Sequence, residues 1–174
     1  SATARTAGFS TTDPALLSDS GYLLTLVLMF IGGSSGSTAG GIKVGTFAVI
    51  IMGMVAAFRG RKDINIGKRR LQPELVTQAL AIFAAYLFMA LTGTFIICAA
   101  ETAGFMSVLF ETVSAIGTVG VSLGITPSLG VLSQIVLILL MYAGRVGILT
   151  LALALGRKRG TAEVRKPVET LFIG

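Results

Sequence analysis

Two pentapeptides carry the chemistry that is legible in this chain. Thr6-Ala7-Gly8-Phe9-Ser10 and Thr118-Val119-Gly120-Val121-Ser122 share the pattern T-x-G-x-S at an offset of 112 residues. A dehydrated cation needs oxygen ligands in place of its hydration shell, and a ring of backbone carbonyls supplies them when an extended strand turns successive C=O groups toward one axis. Glycine permits the φ/ψ values that such a strand requires. The offset persists beyond the motif: Leu28-Met29-Phe30-Ile31-Gly32 aligns with Leu140-Met141-Tyr142-Ala143-Gly144 without a gap, while Pro14 and Pro127 miss it by one. Two blocks at one spacing read as an internal repeat. Each unit is a T-x-G-x-S strand, a polar turn with Pro, and an apolar helix reaching Gly 24 positions after the strand's glycine. Alone, T-x-G would be an ordinary glycine turn; its setting, after an apolar helix and before another, gives it weight. One and a half units cannot surround a pathway, so further repeats or several half-chains must complete it.

Competing chemistries are removed by composition. The 174 residues include no His and a single Cys98 within FIICAA, which excludes a disulfide framework, a cysteine metal site and the commonest acid/base residue. With 53% hydrophobic and 13% charged residues and a mean hydropathy of +0.87, against about 25% charged in an average soluble domain, the chain cannot cover itself with polar surface in water. Its solvent is lipid. The net charge is +6, and eleven of the 14 basic residues lie in two clusters, Arg59, Arg61, Lys62, Lys68, Arg69 and Arg70, then Arg157, Lys158, Arg159, Arg165 and Lys166. Neither has interleaved aromatic residues, as a nucleic-acid platform would, and each flanks an apolar span, as cytoplasmic loops do. SATARTAGFS is neither a signal sequence nor a Met start, and the chain reads as an internal fragment.

The elements that must position the two strands follow from the uncharged stretches. Gln78 to Ala100 is long enough to cross a bilayer, which takes about 20 apolar residues. Val131 to Leu155 reads as a second spanning helix with Arg145 in its course. With both basic clusters inside, the first leads outward and the second returns. Thr102 to Gly130 must then enter and leave by the outer face as a re-entrant loop, tolerated only where buried in protein or lining a wet cavity. Tyr22 to Phe58 is too long for one straight span and is interrupted by GGSSGSTAGG, Gly32 to Gly41.

That decapeptide resists the phosphate-loop reading, because Ile42 stands where G-x-x-x-x-G-K needs its Lys and no strand precedes it. A pore-lining loop and a flexible linker remain open, the linker disfavoured by apolar segments on both sides. Lys43 either snorkels to an interface or supports this loop. Arg145, eleven uncharged residues before Arg157, is either a cationic barrier in the pathway or half of an interhelical salt bridge. In the repeat it corresponds to Gly33. Glu111 has no evident partner, and a place behind the strand and a solvated helix end are both open; Gly93 and Gly144 suit helix packing.

RTAGFSTTD (Arg5 to Asp13), GGSSGSTAGGIK (Gly32 to Lys43), SAIGTVGVSLGITP (Ser114 to Pro127) and YAGRVGILT (Tyr142 to Thr150) resemble the third and fourth pore units of the Ktr/Trk/HKT superfamily of potassium transporters, closest to its Ktr membrane subunits, over essentially the whole chain. The resemblance implies an all-α membrane protein of repeated M1-P-M2 units with re-entrant pore loops and a broken M2 helix. Residues 1-58 would be the end of one pore loop and its broken M2, 59-74 a cytoplasmic basic linker, 75-156 a complete unit and 157-174 a cytoplasmic tail. It implies a filter of carbonyls from Thr6, Ala7, Gly8 and Phe9 and from Thr118, Val119, Gly120 and Val121. It also implies a gating loop of Gly32, Gly33, Ser34, Ser35, Gly36, Ser37, Thr38, Ala39, Gly40 and Gly41, supported by Lys43, and a barrier at Arg145. The implied partners are the remaining pore units, a second copy in a homodimer with LFIG at its interface, a cytosolic nucleotide-binding regulatory ring, and plasma-membrane lipid, with no nucleic acid. The ion is K+, with Na+ as transported or coupling alternative, and no covalent cofactor or enzymatic step is expected. A broken-helix secondary transporter and a non-conducting structural half are the competing readings.

Overall fold

The computed structural model describes residues 6–8, 17–34, 37, 39–60, 64–66 and 69–147. Phe9, Ser35, Gly36, Thr38 and the tail 157–174 lie outside the described residues. Asp19–Phe30 forms α1, whose start is capped by Ser18 Oγ accepting from Gly21 N at 3.4 Å. Val44–Phe58 forms α2, so the long apolar stretch is divided between two helices at the Gly/Ser segment. Ile64–Ile66 and Arg69–Leu71 pair antiparallel as β1 and β2. This hairpin departs from an all-helical expectation; Ile64, Asn65 and Ile66 alternate apolar and polar with β-branched residues at both ends, the pattern of a short strand. Helix α3, Pro73–Ala100, opens with Pro, whose missing N–H costs nothing there, and with Glu74 against the positive helix end. Phe105–Ile116 forms α4, a short 3-10 turn spans Thr126–Ser128, and Val131–Val146 forms α5.

Glu74–Ala100 is, among the described residues, the one helix long and apolar enough to cross a membrane. Helix α5 ends earlier than its composition suggests: Gly147 adopts φ +84 and closes the last turn, which contains Arg145. Its expected continuation to Leu155 falls outside the described residues.

Helices α3 and α5 run antiparallel, and their contacts fix the register. Tyr86 Oη donates to the Gly144 carbonyl at 3.3 Å, a Cβ on Gly93 would stand 2.6 Å from Leu140 Cδ1, and Glu101 Oε1 accepts from Gly130 N at 2.7 Å and Ser133 Oγ at 2.8 Å. The chain therefore leaves α3 and enters α5 at the same end. Between them α4, only 12 residues and about 18 Å long, descends into the molecule, and residues 118–125 lead back as a single strand of chain without regular secondary structure. Val108 and every residue from Phe110 to Ile116 are buried. One side of α4 packs with Tyr86, Ala90, Ile97, Leu137 and Leu140, the other with Leu26, Met29, Val119 and Val121. Tyr22 meets Phe110 edge-on at 5.9 Å, and Thr94 Oγ1 and Thr112 Oγ1 share a buried hydrogen bond of 2.7 Å between α3 and α4.

The outer faces are apolar: Phe88 is 70% exposed, Phe95 74% and Val131 74%. Large apolar side chains exposed in this number along α1, α3 and α5 are stable against acyl chains rather than water.

Gly144 lets α5 approach the end of α4 so closely that a Cβ would collide with the Ile116 carbonyl oxygen and lie 2.8 Å from its carbon. Gly144→Val is expected to cost about 3 kcal/mol or more by overpacking against backbone that cannot yield. Thermal unfolding of the intact protein in detergent, read beside the wild type, measures it.

Candidate functional site: a strand of alternating handedness above a glycine loop

Helix α4 ends in a Schellman closure: Gly117 is still helical, its N–H donating to Val113 O at 2.9 Å, while the left-handed Thr118 donates to Ala115 O at 3.0 Å and turns the chain out of the helix. Thr118 has φ +49, Gly120 φ +82 and Gly124 φ +82. Val119 N still donates to Ser114 O at 2.9 Å. In an ordinary strand successive carbonyls point to opposite sides; reversing the handedness at alternate residues swings them toward one side. The same pair recurs at the repeat distance, with Thr6 at φ +52 and Gly8 at φ +75. These two threonines are, among the described residues, the only non-glycine residues with positive φ. A β-branched residue there is strained by about 1–3 kcal/mol, a cost that concentrates at functional positions.

The two strands meet at their glycines. A Cβ on Gly8 would lie 3.1 Å from Val119 O, and one on Gly120 would lie 3.3 Å from Gly8 Cα. Helix α1 begins at Asp19 and α5 at Val131, again 112 positions apart.

Four side-chain bonds hold the 118–126 segment from behind. Ser114 Oγ donates to the Val121 carbonyl at 2.6 Å. Glu111, 5% exposed, receives Ser122 Oγ at 2.6 Å and Leu123 N at 2.9 Å on Oε1, and Thr126 Oγ1 at 3.0 Å on Oε2. Glu111 is thus neither solvated nor partnerless, and the Val121 carbonyl, which the sequence assigns to the ion path, is engaged by the helix behind it. A lone Glu would be unremarkable in a soluble helix. Here Ser107, Glu111 and Ser114 recur at i, i+4 and i+7, one polar stripe on a largely apolar element. That stripe is the signal of a buried face that needs polar partners.

Below the strand lies the segment Gly32 to Gly41. Its base is closed by a parallel bridge between Ile31 and Ile42, with Gly32 N donating to Ile42 O at 2.8 Å and Ile42 N to Phe30 O at 3.1 Å. Val44 N donates to Gly33 O at 3.2 Å. The excursion therefore starts and ends at one place, and the chain leaves it in the direction in which it entered. Lys43 reaches back into it, its Nζ donating to Ser37 O at 3.0 Å and also to Ala39 O. Ser34 and Ser37 are exposed, whereas Ala39, Gly40 and Gly41 are buried. Gly40 abuts the inner end of the strand: a Cβ there would collide with Thr118 Oγ1 and stand 2.6 Å from Gly117 O. Thr118 Oγ1 is buried and has no hydrogen-bond partner among the described residues.

Arg145 is exposed and follows Gly144, which abuts the Ile116 carbonyl, so it stands level with the inner end of the strand. It shares a cavity of about 550 Å³ with Thr6, Thr118, Gly120, Val121 and Glu111. Ala7 and Gly8 are exposed on the other strand.

Residues 1–159 match the TrkH family, described as cation transport protein. The chain is 38% identical over 172 residues to Ktr system potassium uptake protein B of Bacillus subtilis, covering 99% of this chain and 38% of that protein. It is 40% identical over 174 residues to Ktr system potassium uptake protein B of Vibrio alginolyticus, covering 100% of this chain and 38% of the relative. With Potassium/sodium uptake protein NtpJ of Enterococcus hirae it shares 38% identity over 180 residues, 100% of this chain and 40% of the relative. The chain spans about two fifths of the length of these relatives. It belongs to the TrkH family of cation transport proteins.

Proposed function

We propose that this chain supplies two of the filter strands of a potassium-transport protein in the plasma membrane. The observation that carries the reading is the paired left-handed backbone at Thr6 and Gly8 and at Thr118 and Gly120, with the two glycines face to face. Thr6, Ala7 and Gly8 and Thr118, Val119 and Gly120 present their carbonyls to the ion; Phe9 completes the first strand, while Val121 serves the filter from behind. The Thr118 hydroxyl, buried against Gly40 at the inner end, has no hydrogen-bond partner among the described residues, an isolation that costs about 1–3 kcal/mol. The names of the relatives support K+ as the ion, and one of them Na+ as well.

Residues 32–41 act as the gating loop and Lys43 as its support, through the carbonyls of Ser37 and Ala39. Residues 1-58 are the end of one pore unit with a broken M2, 75-156 a complete unit, and 59-74 and 157-174 cytoplasmic. Further pore units, a second copy and a cytosolic nucleotide-binding ring complete the assembly. Flux of K+ into proteoliposomes carrying the intact protein, with Na+ as competitor, tests the proposal. Saturable transport that requires a coupled ion would favour a secondary transporter, and absence of flux a structural role.

Arg145 opposes cations at the inner entrance. Because it is exposed, water limits that repulsion to about 1 kcal/mol. Arg145→Ala is expected to raise flux per folded protein about fivefold. Unchanged or lowered flux at normal abundance rejects the barrier, and low abundance points to a structural ion pair.

A further inference from the structure

Glu111 belongs to no carbonyl ring and no gate, yet among the described residues it is the most heavily bonded carboxylate near the filter. Its two oxygens collect three donors: Ser122 Oγ at 2.6 Å, Leu123 N at 2.9 Å and Thr126 Oγ1 at 3.0 Å. All three belong to the chain just outside Gly120. An ionised carboxylate is an acceptor only, and charge-assisted bonds to it are the short, strong kind. Ser122 Oγ also accepts from Gly124 N at 2.9 Å, which extends the bracing to the next left-handed glycine.

This bracing matters because Val119 and Val121 are packed into the core, whereas the outer limb, with Ser122 and Gly124 exposed, has little else to hold its shape. Among the described residues no neighbouring strand pairs with the filter strand, and its reversed φ values are intrinsically unfavourable at Thr118. Ser114 fixes two points, its carbonyl accepting from Val119 N and its hydroxyl donating to the Val121 carbonyl. Glu111, one helical turn earlier on α4, fixes three residues beyond those points.

We propose that Glu111 is a positioning residue of the ion filter: its carboxylate ties the outer limb, Ser122 to Thr126, to α4 and thereby fixes where the Gly120 carbonyl points. The proposal rests on the filter reading above. It assigns part of ion discrimination to a side chain that never meets the ion.

The test is K+ and Na+ uptake by the intact protein, scored as KM, Vmax per folded protein and K+ over Na+ preference. Glu111→Ala removes all three bonds and is expected to raise the K+ KM and lower the preference, each about tenfold, the factor that corresponds to about 1.4 kcal/mol. Glu111→Gln keeps an acceptor for Leu123 N, and the Thr126 hydroxyl can rotate to accept from the amide, so it should recover most of the preference. Thr126→Val, which removes the bond to Oε2 and the 3.5 Å bond with Ser122 Oγ but leaves the carboxylate its other two donors, is expected to shift preference in the same direction by a smaller factor, and it serves where Glu111→Ala does not fold. Normal preference in Glu111→Ala, or in Thr126→Val when the former is unfolded, overturns the proposal. Gly120→Ser, measured alongside, separates the two failures: if it alters preference and the Glu111 and Thr126 variants do not, only the positioning role falls; if it too is silent, the filter reading falls.

Discussion

Gly120→Ser is expected to lower K+ over Na+ preference by more than about tenfold while leaving the helices in place. At φ +82 any residue with a Cβ is strained by about 1–2 kcal/mol, and the new Cβ would stand 3.3 Å from Gly8 Cα in the opposing strand. Relief requires the strand to rotate, which turns the Val119 and Gly120 carbonyls off their axis. The loss should fall on selectivity more than on abundance, because the Gly120 side of the strand is exposed rather than packed in the core. Uptake of K+ with and without Na+ in a host deficient in potassium transport measures it, and unchanged affinity and preference would sink the filter assignment.

Deletion within Ser34 to Ala39 is expected to raise flux at least about tenfold, the factor that accompanies removal of a barrier of about 1.4 kcal/mol. The hydrogen bonds at the base of the loop use Phe30, Gly32, Gly33, Ile42 and Val44, all outside the deleted stretch, so the excursion can shorten without unseating α1 or α2. What disappears are the Ser37 and Ala39 carbonyls that Lys43 holds, so that Gly40, which abuts Thr118, loses the neighbours that keep it there. Flux per folded protein, normalised by detergent-extracted protein, is the readout. Wild-type flux from a folded deletion variant would reduce the segment to a connector.

Much of the site is legible in the residues because its chemistry is backbone chemistry. A strand that must reverse handedness at alternate positions needs Gly8 and Gly120, and a loop that packs against other backbone needs Gly32, Gly40 and Gly41; both requirements are written as residue types. That the apolar stretch Tyr22 to Phe58 must be divided follows from its length, and the place of the division from the Gly/Ser composition of Gly32 to Gly41. The hairpin at Ile64–Leu71 is not legible in the same way, because three-residue strands give too short an alternation to stand out beside long helices. The end of α5 is hidden as well, since apolar residues continue past Gly147 and only its φ of +84 marks the stop within the described residues.

By itself the sequence determined that the solvent is lipid, that two glycine strands recur at one spacing, and that basic segments flank apolar spans. Those properties depend on composition and order along the chain, and no fold is needed to count them. The tertiary structure decided which groups meet. Glu101 joins the ends of α3 and α5 across 29 positions, Glu111 braces a strand 11 to 15 positions onward, and Gly40 comes to rest against Thr118. A buried carboxylate is stable only where donors converge on it, and that convergence is set by how α4 descends between its neighbours, a property of packing that no residue carries alone.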